Sequence, residues 1–208
     1  SACSLRIIAI NDVYELDNLP RYKVAKDTKK LECVKATSQG KADLTIGVIA
    51  GDFLMPSLLS SIDKGCGMTD SLNRCGIDFC CIGNHEGDLE YKQFVHRVNE
   101  SNFTWINSNI PEMPDLKLPE YVILEIESED KTHKRRIALL GLCCEDMSVF
   151  SPNPFKSVPI LPVNATAKEI YARIMKTENV DCVIPITHQL IPLDRELAGC
   201  GLFPLIIG

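Results

Sequence analysis

The chain has no run of about 18 or more apolar residues, so no segment reads as a membrane-crossing helix. Its first residues also lack the basic and apolar regions of a secretory leader. Positive charge is in deficit: 22 Lys and Arg stand against 28 Asp and Glu, a net charge of −6, which argues against sequence-independent binding of nucleic acid. There is no internal repeat and no low-complexity tract. No Cys-x-x-Cys pair accompanies a second pair of ligands at zinc-ribbon spacing. Histidine is scarce, with four in all, and only one tryptophan occurs.

What the chain does have is enough material for one packed domain. Its 208 residues are 45% hydrophobic, a length and content that bury a substantial core. Ten cysteines invite a disulfide framework, but Cys80-Cys81 and Cys143-Cys144 lie in apolar runs where cysteine acts as a small hydrophobe. Reduced thiols and a cytoplasmic chain are the reading favoured here. Asn99-Glu100-Ser101, Asn102-Phe103-Thr104 and Asn164-Ala165-Thr166 fit the glycosylation pattern of a secreted one, whose leader an upstream segment would carry.

Apolar runs and helical patterns alternate along the chain, predicting an α/β domain over residues 1–208. Strands are expected at Leu5–Ile10, Leu44–Ala50, Ile77–Ile82, Tyr121–Glu127, Arg136–Leu142, Asp181–Ile186 and Phe203–Ile207. Helices are expected at Arg21–Ser38, Ser57–Lys64, Thr69–Arg74 with Thr69 as its cap, Glu90–Glu100, Ala165–Lys176 and Pro192–Ala198. The charged turn Ser128–Lys134 makes a hairpin of two neighbouring strands, and Pro152, Pro154, Pro159 and Pro162 mark a long loop.

Four strand ends carry side chains able to bind a metal. Leu5–Ile10 runs into Asn11-Asp12-Val13-Tyr14, Leu44–Ala50 into Gly51-Asp52-Phe53, Ile77–Ile82 into Gly83-Asn84-His85-Glu86-Gly87-Asp88, and Cys182–Ile186 into Thr187-His188-Gln189. Carboxylate and amide oxygens with an imidazole suit zinc, manganese, iron or similar ions. Each residue alone has a plainer use: Asp12 and Asp52 as turn formers or caps, Asn84 and His85 as partners of loop backbone, Tyr14 as a packed aromatic. His96 and His133 read as ordinary surface residues, and Asp194 with Arg195 as a surface pair bracing the loop after His188.

Taken together and in this order, these motifs resemble the calcineurin-like metallophosphoesterase superfamily, whose signature runs Asp-x-His, Gly-Asp, Gly-Asn-His-Glu/Asp, His, then Gly-His-x-His. The 5′-nucleotidase branch is the nearer match, on Gly51-Asp52-Phe53-Leu54-Met55-Pro56-Ser57, on Asp88 three residues after His85, on Ser108-Asn109-Ile110, and on Thr187-His188 before Asp194-Arg195-Glu196-Leu197-Ala198. The resemblance implies two packed mixed β-sheets flanked by helices in four layers. It also implies a metal-dependent phosphomonoester hydrolase in which a hydroxide activated by two divalent ions attacks the phosphate. Asp12 is then a ligand of the first ion, Asp52 the bridge, and Asn84 and His188 ligands of the second. His85 assists the leaving group and Asp88 orients it. The substrate implied is a small phosphorylated molecule, a nucleotide among the candidates.

There are two departures from the pattern. Tyr14 stands where the family has a histidine ligand, and a phenol with an ordinary pKa of about 10 ligates only if the metal draws off its proton. Leu202–Gly208 matches the approach to the closing motif, and its two histidines are absent from this sequence. The resemblance therefore implies a catalytic domain incomplete at its C-terminal end, with the branch's substrate-binding domain missing. A non-catalytic interaction module with a degenerate metal site is the alternative reading.

Overall fold

The computed structural model describes residues 3–35, 43–152 and 154–208, with side chains in the first helix described through Lys29. Its organisation follows from which faces of the strands are apolar. Strands β1 (Leu5–Ile10), β2 (Leu44–Ala50), β3 (Phe79–Cys81) and β4 (Thr104–Ile106) lie side by side in that order, every described pair parallel. Parallel neighbours require crossovers, and these are helical: α1 (Leu19–Lys35) joins β1 to β2, α2 (Leu58–Asp63) and α3 (Cys66–Cys75) join β2 to β3, and α4 (Tyr91–Glu100) joins β3 to β4. Strands β5 (Tyr121–Glu127), β6 (Lys134–Cys143) and β7 (Cys182–His188) make a second sheet in which β5 and β6 are an antiparallel hairpin and β6 and β7 run parallel. Helix α5 (Val163–Thr177) precedes β7 and α6 (Ile191–Gly199) follows it.

Two sheets flanked by helices are what the sequence led us to expect, the mixed character residing in the second sheet. Because strand side chains alternate, each strand feeds two cores. Ile46, Val48, Ala50, Cys81 and Ile106 from the first sheet meet Leu124, Leu139, Ile184 and Ile186 from the second, forming the layer between the sheets. The opposite face of the first sheet buries Ile49, Cys80 and Trp105 beneath Leu72, Phe94 and Tyr22 of the helices. The outer face of the second packs Leu140, Leu142 and Val183 against Val163, Ile170 and Ile174 of α5 and Leu197 of α6. The sheets join tightly at Gly141, where a Cβ would lie 2.2 Å from the carbonyl oxygen of Ile106.

Three expectations need correction. Thr69 does not cap α3. That helix starts at Cys66, the carboxylate of Asp63 accepts the amides of Gly65 and Gly67, and Thr69 Oγ1 donates back to the Gly65 carbonyl from inside the helix. Residues 203–207 form no strand but a single bridge, Ile207 to Ile186, with Pro204 lacking an amide to donate. Strand β7 extends through His188, so this residue ends the strand and does not follow it. The end of the helix expected at Arg21–Ser38 lies outside the described residues.

Candidate functional site

The C-terminal ends of β1, β2, β3 and β7 open on one cleft of about 400 Å³, lined by Asp12, Tyr14, Asp52, Asn84, His85 and His188. The sequence singled out all six at four separate strand ends, and the fold brings them together. Asp88, the seventh, stands behind His85, its Oδ2 at 2.6 Å from His85 Nδ1.

The backbone makes this convergence possible. Asp12 and Asp52 both adopt left-handed conformations, φ 52° and 56°, which cost a non-glycine residue about 1–3 kcal/mol and persist only where surroundings impose them. The loops after β1 and β2 impose them on each other: the amides of Asp12 and Val13 donate to the carbonyls of Gly51 and Asp52. Gly51 and Gly83 are the contact points. A Cβ on Gly51 would lie 2.7 Å from His188 Nδ1, and one on Gly83 2.2 Å from Asp52 Oδ1. Glu86, fully buried, ties the assembly together as its carboxylate accepts the amides of Asp52, Phe53, Leu54 and Gly83. Burial raises its pKa, with the charge of Asp52 adding to the effect against those amide hydrogen bonds.

Asp52 is the hub. Its Oδ1 accepts the His85 amide at 2.8 Å, and its Oδ2 lies 3.0 Å from the Tyr14 hydroxyl and 3.2 Å from His188 Nε2. Burial alone would raise its pKa, but the hydrogen bond and charge of His188, with the His85 amide, bring it below the ordinary value. On His188, burial opposes the charge, while the hydrogen bond and charge of Asp52 and the Ala50 carbonyl outweigh it and push the pKa up to about 9. Geometry agrees: Nδ1 faces the Ala50 carbonyl at 2.7 Å and Nε2 faces Asp52 and the Asn84 amide oxygen, so both ring nitrogens donate. Asn84 is oriented by its own Nδ2, which donates to the Val149 carbonyl and leaves Oδ1 toward the cleft.

Tyr14 lies between the two carboxylates, its hydroxyl 3.0 Å from an oxygen of each, and its ring meets that of His85 edge-on at 6.1 Å. Burial raises the pKa of the phenol, followed by the charge and hydrogen bond of Asp52. Ligand atoms of Asp12, Asp52 and His188 lie within 4.8 Å of one another, a hard oxygen and imidazole set compatible with a divalent cation.

Cys144, Asp146 and Gln189 also line the cleft. Cys144 and Asp146 follow β6, which runs parallel to β7 with Cys143 opposite His188; the acid just past an apolar strand is the same signal that marks Asp12 and Asp52. Asp194 braces the loop after β7, but by accepting from Thr187 Oγ1 and Gln189 Nε2, both at 2.8 Å, and not through Arg195. Ser151 Oγ donates to Asp88, a contact between distant loops that no local pattern announces.

Solved structures share this arrangement of sheets and helices. A 5′-nucleotidase precursor from Thermus thermophilus superposes with a TM-score of 0.75 at 18% identity, over 94% of this chain and 39% of that one. A calcineurin-like phosphoesterase from Bacillus subtilis does so with a TM-score of 0.68 at 17% identity, over 91% of this chain and 63% of that one. The fold is that of the calcineurin-like metallophosphoesterases. Among curated sequences, a 5′-nucleotidase of Vibrio vulnificus is 27% identical over 119 residues, 57% of this chain and 21% of that protein. The resemblance to the 5′-nucleotidase branch of the metallophosphoesterases is thus borne out, although no family profile matches the chain. The match spans about a fifth of the length of the curated relatives. No described helix is long and apolar enough to cross a membrane.

Proposed function

We propose that this metallophosphoesterase domain hydrolyses a phosphomonoester, with divalent metal ions held by Asp12, Asp52, Asn84 and His188. The observation that carries the reading is the convergence of those four strand-end side chains beside an oriented His85–Asp88 pair in a single cleft. The residues fit the ions chemically: two carboxylates face one imidazolium, and loss of the His188 Nε2 proton would free a ligand nitrogen whose ring the Ala50 carbonyl already orients. Asp52 Oδ2 lies within reach of the Tyr14 hydroxyl and of His188 Nε2, so Asp52 is the carboxylate that would be shared if two ions were held here. Bound there, the metals would supply Lewis acidity toward water and the phosphate oxygens.

The chain's own groups would do the rest. Asp88 holds the His85 Nδ1 proton, which leaves Nε2 toward the cleft, 3.9 Å from Asp52 Oδ2. From there Nε2 would hand a proton to the departing alkoxide and take it back from solvent. Tyr14 either ligates as phenolate or keeps its single proton and shares it between the two carboxylates. A nucleotide is the substrate suggested by the relatives' names. The interaction module is the weaker reading, because a scaffold has no physical need for an imidazole paired with a carboxylate and aimed into a cleft.

Replacing His85 tests the assignment. His85→Ala should slow hydrolysis of alkyl phosphates, whose alkoxides need a proton, by about 10²–10⁴-fold, and of nitrophenyl phosphate much less. Equal losses on both would remove His85 as the proton donor.

A further inference from the structure

Two segments far apart in the chain meet beside the candidate proton donor. One is the turn His85–Asp88 after β3; the other is the stretch after β6 that carries a 3₁₀ turn at Met147–Val149. They come close at Gly87, where a Cβ would lie 2.9 Å from Pro154 Cβ and 3.4 Å from Phe155 Cζ. Phe155 is buried and packs on Phe94 of α4 with ring centroids 5.4 Å apart, and Phe150 meets it edge-on at 6.3 Å. The 3₁₀ turn is tied at both ends: the Asp146 carboxylate accepts the Ser148 amide, and the Phe150 amide donates to the Met147 carbonyl. So anchored, the stretch delivers two groups to the site. The Val149 carbonyl accepts from Asn84 Nδ2 at 3.0 Å, and Ser151 Oγ donates to Asp88 Oδ1.

We propose that Ser151 is a positioning residue for His85, acting through Asp88. The inference rests on the hydrolase reading and deepens it by naming what keeps the proton donor aligned. The torsion that turns an aspartate carboxylate is broad and roughly two-fold, so a single hydrogen bond through Oδ2 restrains the group only weakly. Asp88 is engaged at both oxygens, Oδ2 with His85 Nδ1 at 2.6 Å and Oδ1 with Ser151. Its side chain is 16% exposed, so water has limited access to take the place of the serine hydroxyl. A carboxylate pinned at both oxygens fixes the Nδ1 tautomer and the plane of the imidazole, and with them the direction in which Nε2 presents its proton.

The test compares wild type with Ser151→Ala and Ser151→Thr, as full-length, metal-loaded protein, on an alkyl phosphate and on nitrophenyl phosphate. Ser151 is exposed, so neither change removes core packing. In Ser151→Ala, kcat on the alkyl ester should fall about tenfold, the low end of what an outer hydrogen-bond partner contributes. KM and metal content should be unchanged, and nitrophenyl phosphate, whose leaving group needs no proton, should lose little. Ser151→Thr keeps the hydroxyl and should restore the rate. A readout independent of turnover is the His85 Nδ1 proton in magnetic resonance spectra of isotope-labelled histidine, assigned by its absence in His85→Ala. It should be seen in wild type and Ser151→Thr and lost to exchange with water in Ser151→Ala. Equal losses on both esters, no loss on either, or a Thr variant as slow as the Ala variant would overturn the proposal and leave the hydrolase standing. A wild type without turnover on any ester would overturn the hydrolase reading instead, and the His85 proton then decides alone: lost in Ser151→Ala it upholds the orientation, retained it overturns it.

Discussion

At the scale of single residues, Asp52 and His188 decide how the site behaves. They form a buried ion pair at 3.2 Å in which each partner holds the other charged. His188 binds its proton more tightly folded than unfolded, so the metal-free protein should have the full benefit of the pair below the ordinary histidine pKa of 6.5 and lose it as pH climbs to about 9. Thermal unfolding of chelated protein across that window should show a falling midpoint; a flat profile would mean His188 is not charged. Metal affinity should rise over the same window, because ligation needs the Nε2 proton gone. Asp52→Asn should remove the hub: we expect chelator-sensitive activity to fall by more than the ~10–100-fold typical of an outer hydrogen-bond partner, with the metal content reduced. Undiminished hydrolysis would remove Asp52 as the bridge.

At the scale of elements, the site is a set of strand ends held in contact by glycines and by Glu86. Gly83→Ala drives a Cβ to within 2.2 Å of Asp52 Oδ1 and 2.5 Å of its amide, so circular dichroism should report a folded but less stable protein with weakened metal binding. Glu86→Gln puts an amide donor among four backbone donors and should cost at least about 1–3 kcal/mol in chemical denaturation; unchanged stability would show that the carboxylate is not the tie. Much of this arrangement could be read from the sequence. Strands β1, β2 and β5 begin and end where their apolar runs do, because both faces of the first two and the inner face of the third are packed. The candidate ligands were legible for the same reason, each being a polar group at or just past the end of an apolar strand. What was not legible depends on tertiary partners. Asp63 took over the cap assigned to Thr69, residues 203–207 found one bridging partner and no ladder, and Ser151 reached Asp88 from a loop 63 residues away.

At the scale of the molecule, two sheets pressed face to face keep the strand ends in register, and the shared layer should set the stability of the whole. Leu139, fully buried between the sheets, should cost about 2–5 kcal/mol on truncation to Ala, read as a shifted denaturation midpoint. The same packing links β7 of one sheet to β2 of the other through His188 and the Ala50 carbonyl, so the proposed metal ligands span both sheets. The central claim is that this junction is a metal-dependent phosphoesterase site. The measurement that tests it most directly is metal content together with hydrolysis of an aryl phosphate, on the full-length protein loaded in turn with manganese, zinc and iron. The account predicts about two ions per chain and turnover abolished by chelator and restored by metal. No bound metal and no turnover under any of these conditions would contradict it.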